Sequence, residues 1–122
     1  MGTCLIVDDS KVVRKLECRI MEELGFSISE AEDGKQAEEF CKTQKPDLIL
    51  LDWHMPVMNG IEFLEALRAM PDGDKPKVIF CTTESEMDNI MKALSKGADE
   101  YVMKPFDAEI IKGKLQQIGM LS

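Results

Sequence analysis

Four short apolar runs in this chain each stop at a residue that can carry charge or offer a hydroxyl, and that repetition constrains the fold more than anything else in the sequence. Cys4-Leu5-Ile6-Val7 leads into Asp8-Asp9, and Leu48-Ile49-Leu50-Leu51 ends in Asp52. Val78-Ile79-Phe80-Cys81 ends in Thr82, and Tyr101-Val102-Met103 ends in Lys104-Pro105. Unbroken apolar runs of this length, without polar alternation, suit strands buried on both faces. Phe26 to Ala31 reads as one more, more polar strand.

Between the runs lie amphipathic stretches. Val13, Leu16, Ile20 and Leu24 recur at three- and four-residue steps, as on one face of a helix, and Gly25 is a stop signal. Gly34 to Lys42 reads as a helix with Ala37, Phe40 and Cys41 on one side. Ile61 to Ala69 reads as another, with Phe63, Leu64 and Leu67 inward. Met87, Ile90, Met91 and Leu94 form the next stripe, and Ile111, Leu115 and Ile118 the last. Turn formers punctuate the series: Pro46, Pro56, Asn59, Gly60, Pro71, Gly73 and Pro76.

Strands alternating with helices imply a parallel sheet covered on both faces and joined by right-handed crossovers. The expected architecture is α/β: a doubly wound, five-stranded parallel sheet with five helices, flavodoxin-like, in strand order 2-1-3-4-5. In such a sheet all strand carboxyl ends share one edge, where ligands bind. Asp8, Asp9, Asp52, Thr82 and Lys104 should therefore meet, although they are scattered along the sequence.

The length, 122 residues, fits one domain spanning 1–122 with no output domain. The net charge of −8 and scattered lysines, with arginine only at positions 14, 19 and 68, leave no basic patch to displace counterions from nucleic acid or anionic lipid. No apolar stretch is long enough to span a bilayer, and none has the layout of a secretory signal. The cysteines, Cys4, Cys18, Cys41 and Cys81, form no CxxC pair and read as reduced core thiols. A cytoplasmic monomer is expected.

Clustered carboxylates repel, and a divalent cation relieves them; an all-oxygen donor set suits Mg²⁺. With an ammonium and a hydroxyl alongside, the same cluster can cradle a phosphoryl group, its charge neutralised by the metal and the lysine. Asp52, delivered by the most apolar run, is the best candidate nucleophile.

LIVDDSKVVRK at 5–15, DLILLDWHMPVMNG at 47–60, VIFCTTE at 78–84 and GADEYVMKPF at 97–106 together resemble the response-regulator receiver family, over essentially the whole chain. The resemblance implies a phosphorylation-dependent switch of a two-component system rather than a metabolic enzyme. Asp52 would be the phosphoacceptor. Asp9 would bind Mg²⁺ directly, Asp8 mostly through water, and His54 through its backbone carbonyl. Thr82 and Lys104 would hold phosphoryl oxygens, Tyr101 would be the aromatic switch, and the bond before Pro105 would be cis. The donor would be a histidine kinase or phosphotransfer protein, and the output a downstream protein that docks on helix four, strand five and helix five. Asp52-Trp53, Thr82 with Glu84, and Tyr101 before Lys104-Pro-Phe are similar to single-domain, CheY-like chemotaxis receivers, so a flagellar-motor role is one expectation. A phosphate-sink or relay receiver in a cell-cycle or stress pathway is the alternative. His54 and Glu84, flanking the site, are read as modulators of phosphoryl lifetime.

Plainer readings stand beside these. Asp8 and Asp9 could cap the first helix; Asp52 could be a loop aspartate; Thr82 could be a simple strand former; Trp53 could be core. Rival enzymes on this topology fit poorly. A flavodoxin needs a Ser/Thr/Gly phosphate loop where Asp8-Asp9-Ser10 stands, and a haloacid-dehalogenase-type phosphatase needs a DxDx[TV] motif that Asp52-Trp-His does not supply.

Overall fold

The computed structural model describes residues 2–83 and 90–121. The predicted alternation is present: β1 (Thr3–Val7), α1 (Lys11–Glu23), β2 (Ser27–Ala31), α2 (Gly34–Thr43), β3 (Leu48–Asp52), α3 (Gly60–Arg68), β4 (Lys77–Thr82), α4 (Ile90–Ser95), β5 (Glu100–Met103) and α5 (Ala108–Gln117). All strand pairs are parallel, in the order β2-β1-β3-β4-β5. β3 is central and buried at every position; β2 and β5 are the edges. This is the doubly wound, flavodoxin-like sheet that the sequence predicts.

Strand alternation sends side chains to two cores. Leu5, Val7, Ile49, Leu51, Val78 and Phe80 face α2, α3 and α4, meeting Ala37, Cys41, Phe63, Leu64, Leu67 and Ala93. Cys4, Ile6, Leu48, Leu50, Ile79, Cys81 and Val102 face α1 and α5, meeting Cys18, Met21, Ile111 and Leu115. All four cysteines are buried free thiols.

Helix ends follow local chemistry. Ser10 caps α1 by accepting from the Val13 N–H, and Asp33 and Asp107 do the same for α2 and α5. Asn59 and Glu62 form a reciprocal capping box at α3. The Arg68 guanidinium donates to the carbonyls of Gly73, Pro76 and Gly97 and pairs with Asp99, tying the loops that lead into β4 and β5 to the end of α3.

Two helix faces differ from the sequence expectation. In α1 the stripe Val13, Leu16, Ile20 and Leu24 is not the buried face. Arg14, Glu17, Cys18 and Met21 are buried, Leu16 is 56% exposed, and Val13, Ile20 and Leu24 are half-buried. The helix is rolled because Arg14 and Glu17 find polar partners beneath it; the apolar stripe becomes the wall of a groove of about 290 Å³ opposite Pro105 and Phe106. In α4 the buried residues are Ile90 and Ala93, whereas Met91 and Leu94 face outward. Met87 lies outside the described residues.

Candidate functional site

The carboxyl edge of the sheet brings Asp8, Asp9, Asp52 and Lys104 together. One carboxylate oxygen from each aspartate can be chosen so that all lie within 4.8 Å of one another. Asp8 and Asp52 are buried, at 1% and 6% exposure, and Asp9 is exposed. β1 and β3 are adjacent, so their ends deliver the aspartates side by side. Lys104, just past β5, crosses the edge to place Nζ 2.7 Å from Asp52 Oδ1 and 3.3 Å from Asp8 Oδ2. The remaining Asp8 oxygen accepts the Ser10 N–H at 2.9 Å.

Burial raises the Asp52 carboxyl above the usual carboxylate range, the Lys104 hydrogen bond pulls it down, and Asp8 and Asp9 push it up again. Burial alone would lower Lys104, but its bonds to Asp52 and Asp8 outweigh that and hold the ammonium above its ordinary value. Three carboxylates against one ammonium leave a net negative pocket of hard oxygen donors, which fits Mg²⁺ or a similar divalent ion.

Thr82 is fully buried at the end of β4, and its hydroxyl donates to the Thr83 carbonyl at 3.3 Å. It closes β4, the neighbour of β3, with its hydroxyl turned to the next residue of the chain. His54 is exposed on the loop after β3. Trp53 is 9% exposed and its ring tilts against Phe80, with centroids 5.1 Å apart, so it packs in the core beside the site. The Lys104–Pro105 peptide is cis. Tyr101 lies half-buried on β5, against the α2–α4 side of the core. Glu84 lies outside the described residues.

The loop from β3 to α3 is built tightly. The Gly60 N–H donates to the Trp53 carbonyl, and a Cβ on Gly60 would stand 2.4 Å from the Asp52 carbonyl and 2.8 Å from Phe80. The Met58 N–H donates to the Pro56 carbonyl at 2.7 Å across Val57, whose φ is +68°. That is a γ-turn of the rare positive-φ kind. It presents the Met58 carbonyl to the Gly34 N–H at the start of α2.

Sequence reasoning missed two supporting residues. Arg14, 7% exposed, donates to the Asp8 carbonyl at 2.8 Å and pairs with Glu30 at 3.1 Å, bracing the end of β1 against β2. Glu17, 4% exposed, lies beneath the site with the Cys81 thiol 3.6 Å away. Burial, then the field of Asp8, pushes its carboxyl up to about 8. Positions 14, 17, 18 and 21 are also a helical stripe, hidden because half of it is charged.

An open parallel sheet with an acidic, lysine-countered pocket at its carboxyl edge defines a class of α/β domain built to hold a cation beside an acidic side chain. The family model of the response regulator receiver domain matches residues 4–116, and the chain belongs to that family. It is thus the receiver domain of a two-component system, a signalling protein rather than a metabolic enzyme. It is 36% identical over 115 residues to the chemotaxis protein CheY of Pseudomonas aeruginosa, covering 93% of each chain. The solved structure of the chemotaxis response regulator CheY4 of Vibrio cholerae superposes with a TM-score of 0.89 at 30% identity, over 97% of this chain and 98% of that one. The receiver domain of the sensor histidine kinase PA1611 of P. aeruginosa, solved with a magnesium ion coordinated in its active-site cleft, matches with a TM-score of 0.87 at 28% identity, over 97% and 98% of the two chains. Among the described residues, no helix is long and apolar enough to cross a membrane.

Proposed function

We propose that Asp52 accepts a phosphoryl group from the phosphohistidine of a kinase or phosphotransfer protein. One observation carries this reading: a buried carboxylate, 6% exposed, is held 2.7 Å from an ammonium with two further carboxylates beside it. An Asp52 oxygen forms the new bond to phosphorus as the donor's P–N bond breaks, and the imidazole leaves with the bond's electron pair. Asp8, Asp9, Asp52 and the His54 carbonyl would hold Mg²⁺, which when bound neutralises charge on the transferring oxygens. Lys104 moves from the Asp52 carboxylate to a phosphoryl oxygen. The Thr82 hydroxyl leaves the Thr83 carbonyl for another oxygen, and Tyr101 turns toward the space that Thr82 gives up. The α4–β5–α5 surface then changes its affinity for a protein partner, a population shift set by whatever that partner prefers. His54 and Glu84 set how fast water removes the phosphoryl group.

The likeness to chemotaxis receivers supports a motility output in the cytoplasm, and the net charge of −8, unfavourable toward nucleic acid and anionic lipid, supports a protein as the partner. The likeness to a receiver of a sensor kinase supports a second reading, a phosphate sink or relay. The test of the chemistry is intact mass after incubation with acetyl phosphate and Mg²⁺. An adduct of one phosphoryl group on the wild type, absent from Asp52→Ala and from an EDTA-treated sample, is expected. An adduct that survives Asp52→Ala overturns the assignment.

A further inference from the structure

Lys114 stands on the last turn of α5, on the opposite side of the sheet from the Tyr101 ring. Ile111 and Leu115, its neighbours on the helix, are buried in the α1–α5 core, whereas Tyr101 packs against the other core. The lysine stem therefore wraps around β5, the open edge of the sheet. Its ammonium arrives over the Tyr101 ring, 4.5 Å from the centroid. This is well inside the range over which a ring face attracts a cation.

Glu100 fixes the ammonium there. Its Oε1 lies 3.5 Å from Lys114 Nζ and accepts the Tyr101 backbone N–H at 3.0 Å. One oxygen thus anchors the lysine to the same peptide that carries the ring. The Glu100 and Lys114 side chains are only 21% and 23% exposed, so water competes weakly for either charge. A plain edge ion pair would need Glu100 and Lys114 alone; here the cation is also centred on an aromatic face.

We propose that Lys114 is a positioning residue for Tyr101, a cationic clasp, pinned by Glu100, that holds the ring in the unphosphorylated arrangement. The inference rests on the reading of Tyr101 as the moving aromatic of the switch. In this structure the surroundings are those of the unmodified state: Lys104 is bonded to Asp52, and the Thr82 hydroxyl to the Thr83 carbonyl. Turning the ring toward Thr82 withdraws it from the ammonium at the sheet edge. The clasp thereby sets the resting ratio of the two ring positions without touching the phosphoacceptor. A contact of this class is worth a factor of about two to five in that ratio.

Tyr101 is the single tyrosine and Trp53 the single tryptophan of the chain, so each reports one place. The experiment labels the full chain with 3-fluorotyrosine and records the one ¹⁹F resonance with and without beryllofluoride and Mg²⁺. Wild type, Lys114→Met, Lys114→Arg and Glu100→Gln are compared, with Trp53 fluorescence following Mg²⁺ in each. Lys114→Met keeps the length of the stem and removes only the cation. Its resting resonance is expected to move toward the activated position, corresponding to a two- to fivefold change in the ratio. Glu100→Gln should move part of the way, Lys114→Arg should restore the wild-type position, and Trp53 should titrate with Mg²⁺ as before. A wild-type resonance that responds to beryllofluoride while Lys114→Met rests where the wild type rests, or moves the other way, overturns the clasp. A wild-type resonance indifferent to beryllofluoride overturns it by a separate route, because Tyr101 is then no switch.

Discussion

The Lys104 ammonium approaches Asp52 more closely than Asp8, 2.7 Å against 3.3 Å, and so serves as the built-in counter-ion of the proposed phosphoacceptor. Lys104→Met leaves two buried carboxylates without that partner. Breaking a buried pair costs about 3–5 kcal/mol; the partial exposure of Lys104 lowers the expected loss to about 2–3 kcal/mol in EDTA. Millimolar Mg²⁺ should return part of it by replacing the missing charge. Urea unfolding followed by Trp53 fluorescence, with and without Mg²⁺, measures both. An equal loss in the two conditions would sink the idea.

Glu17 should make the metal-free protein less stable as pH rises. Its folded-state carboxyl titrates at about 8 and its unfolded one near 4.5. Between those values the folded chain holds a proton that the unfolded chain has lost, so stability falls from pH 4.5 to pH 8 and then levels. At about 1.4 kcal/mol for each pK unit, the effect amounts to several kcal/mol across the window. Glu17→Gln, which cannot ionise, is expected to flatten this slope. Denaturation midpoints at pH 5, 6.5 and 8 give the comparison, and matching slopes in the two proteins would contradict the assignment.

Val57 holds a β-branched side chain at φ +68° while 81% exposed, so it bears backbone strain without a packing return. Val57→Asn, which tolerates that conformation, should stabilise the protein by about 1 kcal/mol. Calorimetric melting tests this; a lower melting temperature would show that the side chain matters in a way its exposure does not suggest.

Gly60 and Gly113 should respond in opposite senses to alanine. A Cβ at Gly60 meets the Asp52 carbonyl at 2.4 Å, so Gly60→Ala must push the end of β3 and should cost about 2–3 kcal/mol. Nothing lies within 4 Å of a Cβ at Gly113, inside α5, where alanine should gain about 0.5–1 kcal/mol from helix propensity. Melting temperatures of the two variants decide, and Trp53 fluorescence should change only in Gly60→Ala.

The sequence makes the sheet and its edge legible because strands buried on both faces leave unbroken apolar runs, and a parallel sheet puts their ends in one row. Asp8, Asp52 and Lys104 are found where that logic places them. The roll of α1 is not legible in this way. Its stripe at Val13, Leu16 and Ile20 is as regular as the buried one at Arg14, Glu17, Cys18 and Met21, and only the partners under the helix decide between them. The Val57 turn escapes notice because positive φ is ordinarily announced by glycine or asparagine, and valine announces the reverse.

Asp8 and Lys104 are 96 residues apart, and this separation bears on how the protein is made. A ribosome delivers Asp8, Asp9 and Asp52 long before it delivers the lysine that offsets them. Until β5 is added along the edge of β4, the nascent sheet carries an acidic corner without the lysine that bonds the Asp8 and Asp52 carboxylates. The pocket therefore comes into being with the last strand, and a chain halted short of residue 104 would be folded in part yet unable to present Asp52 in its finished setting.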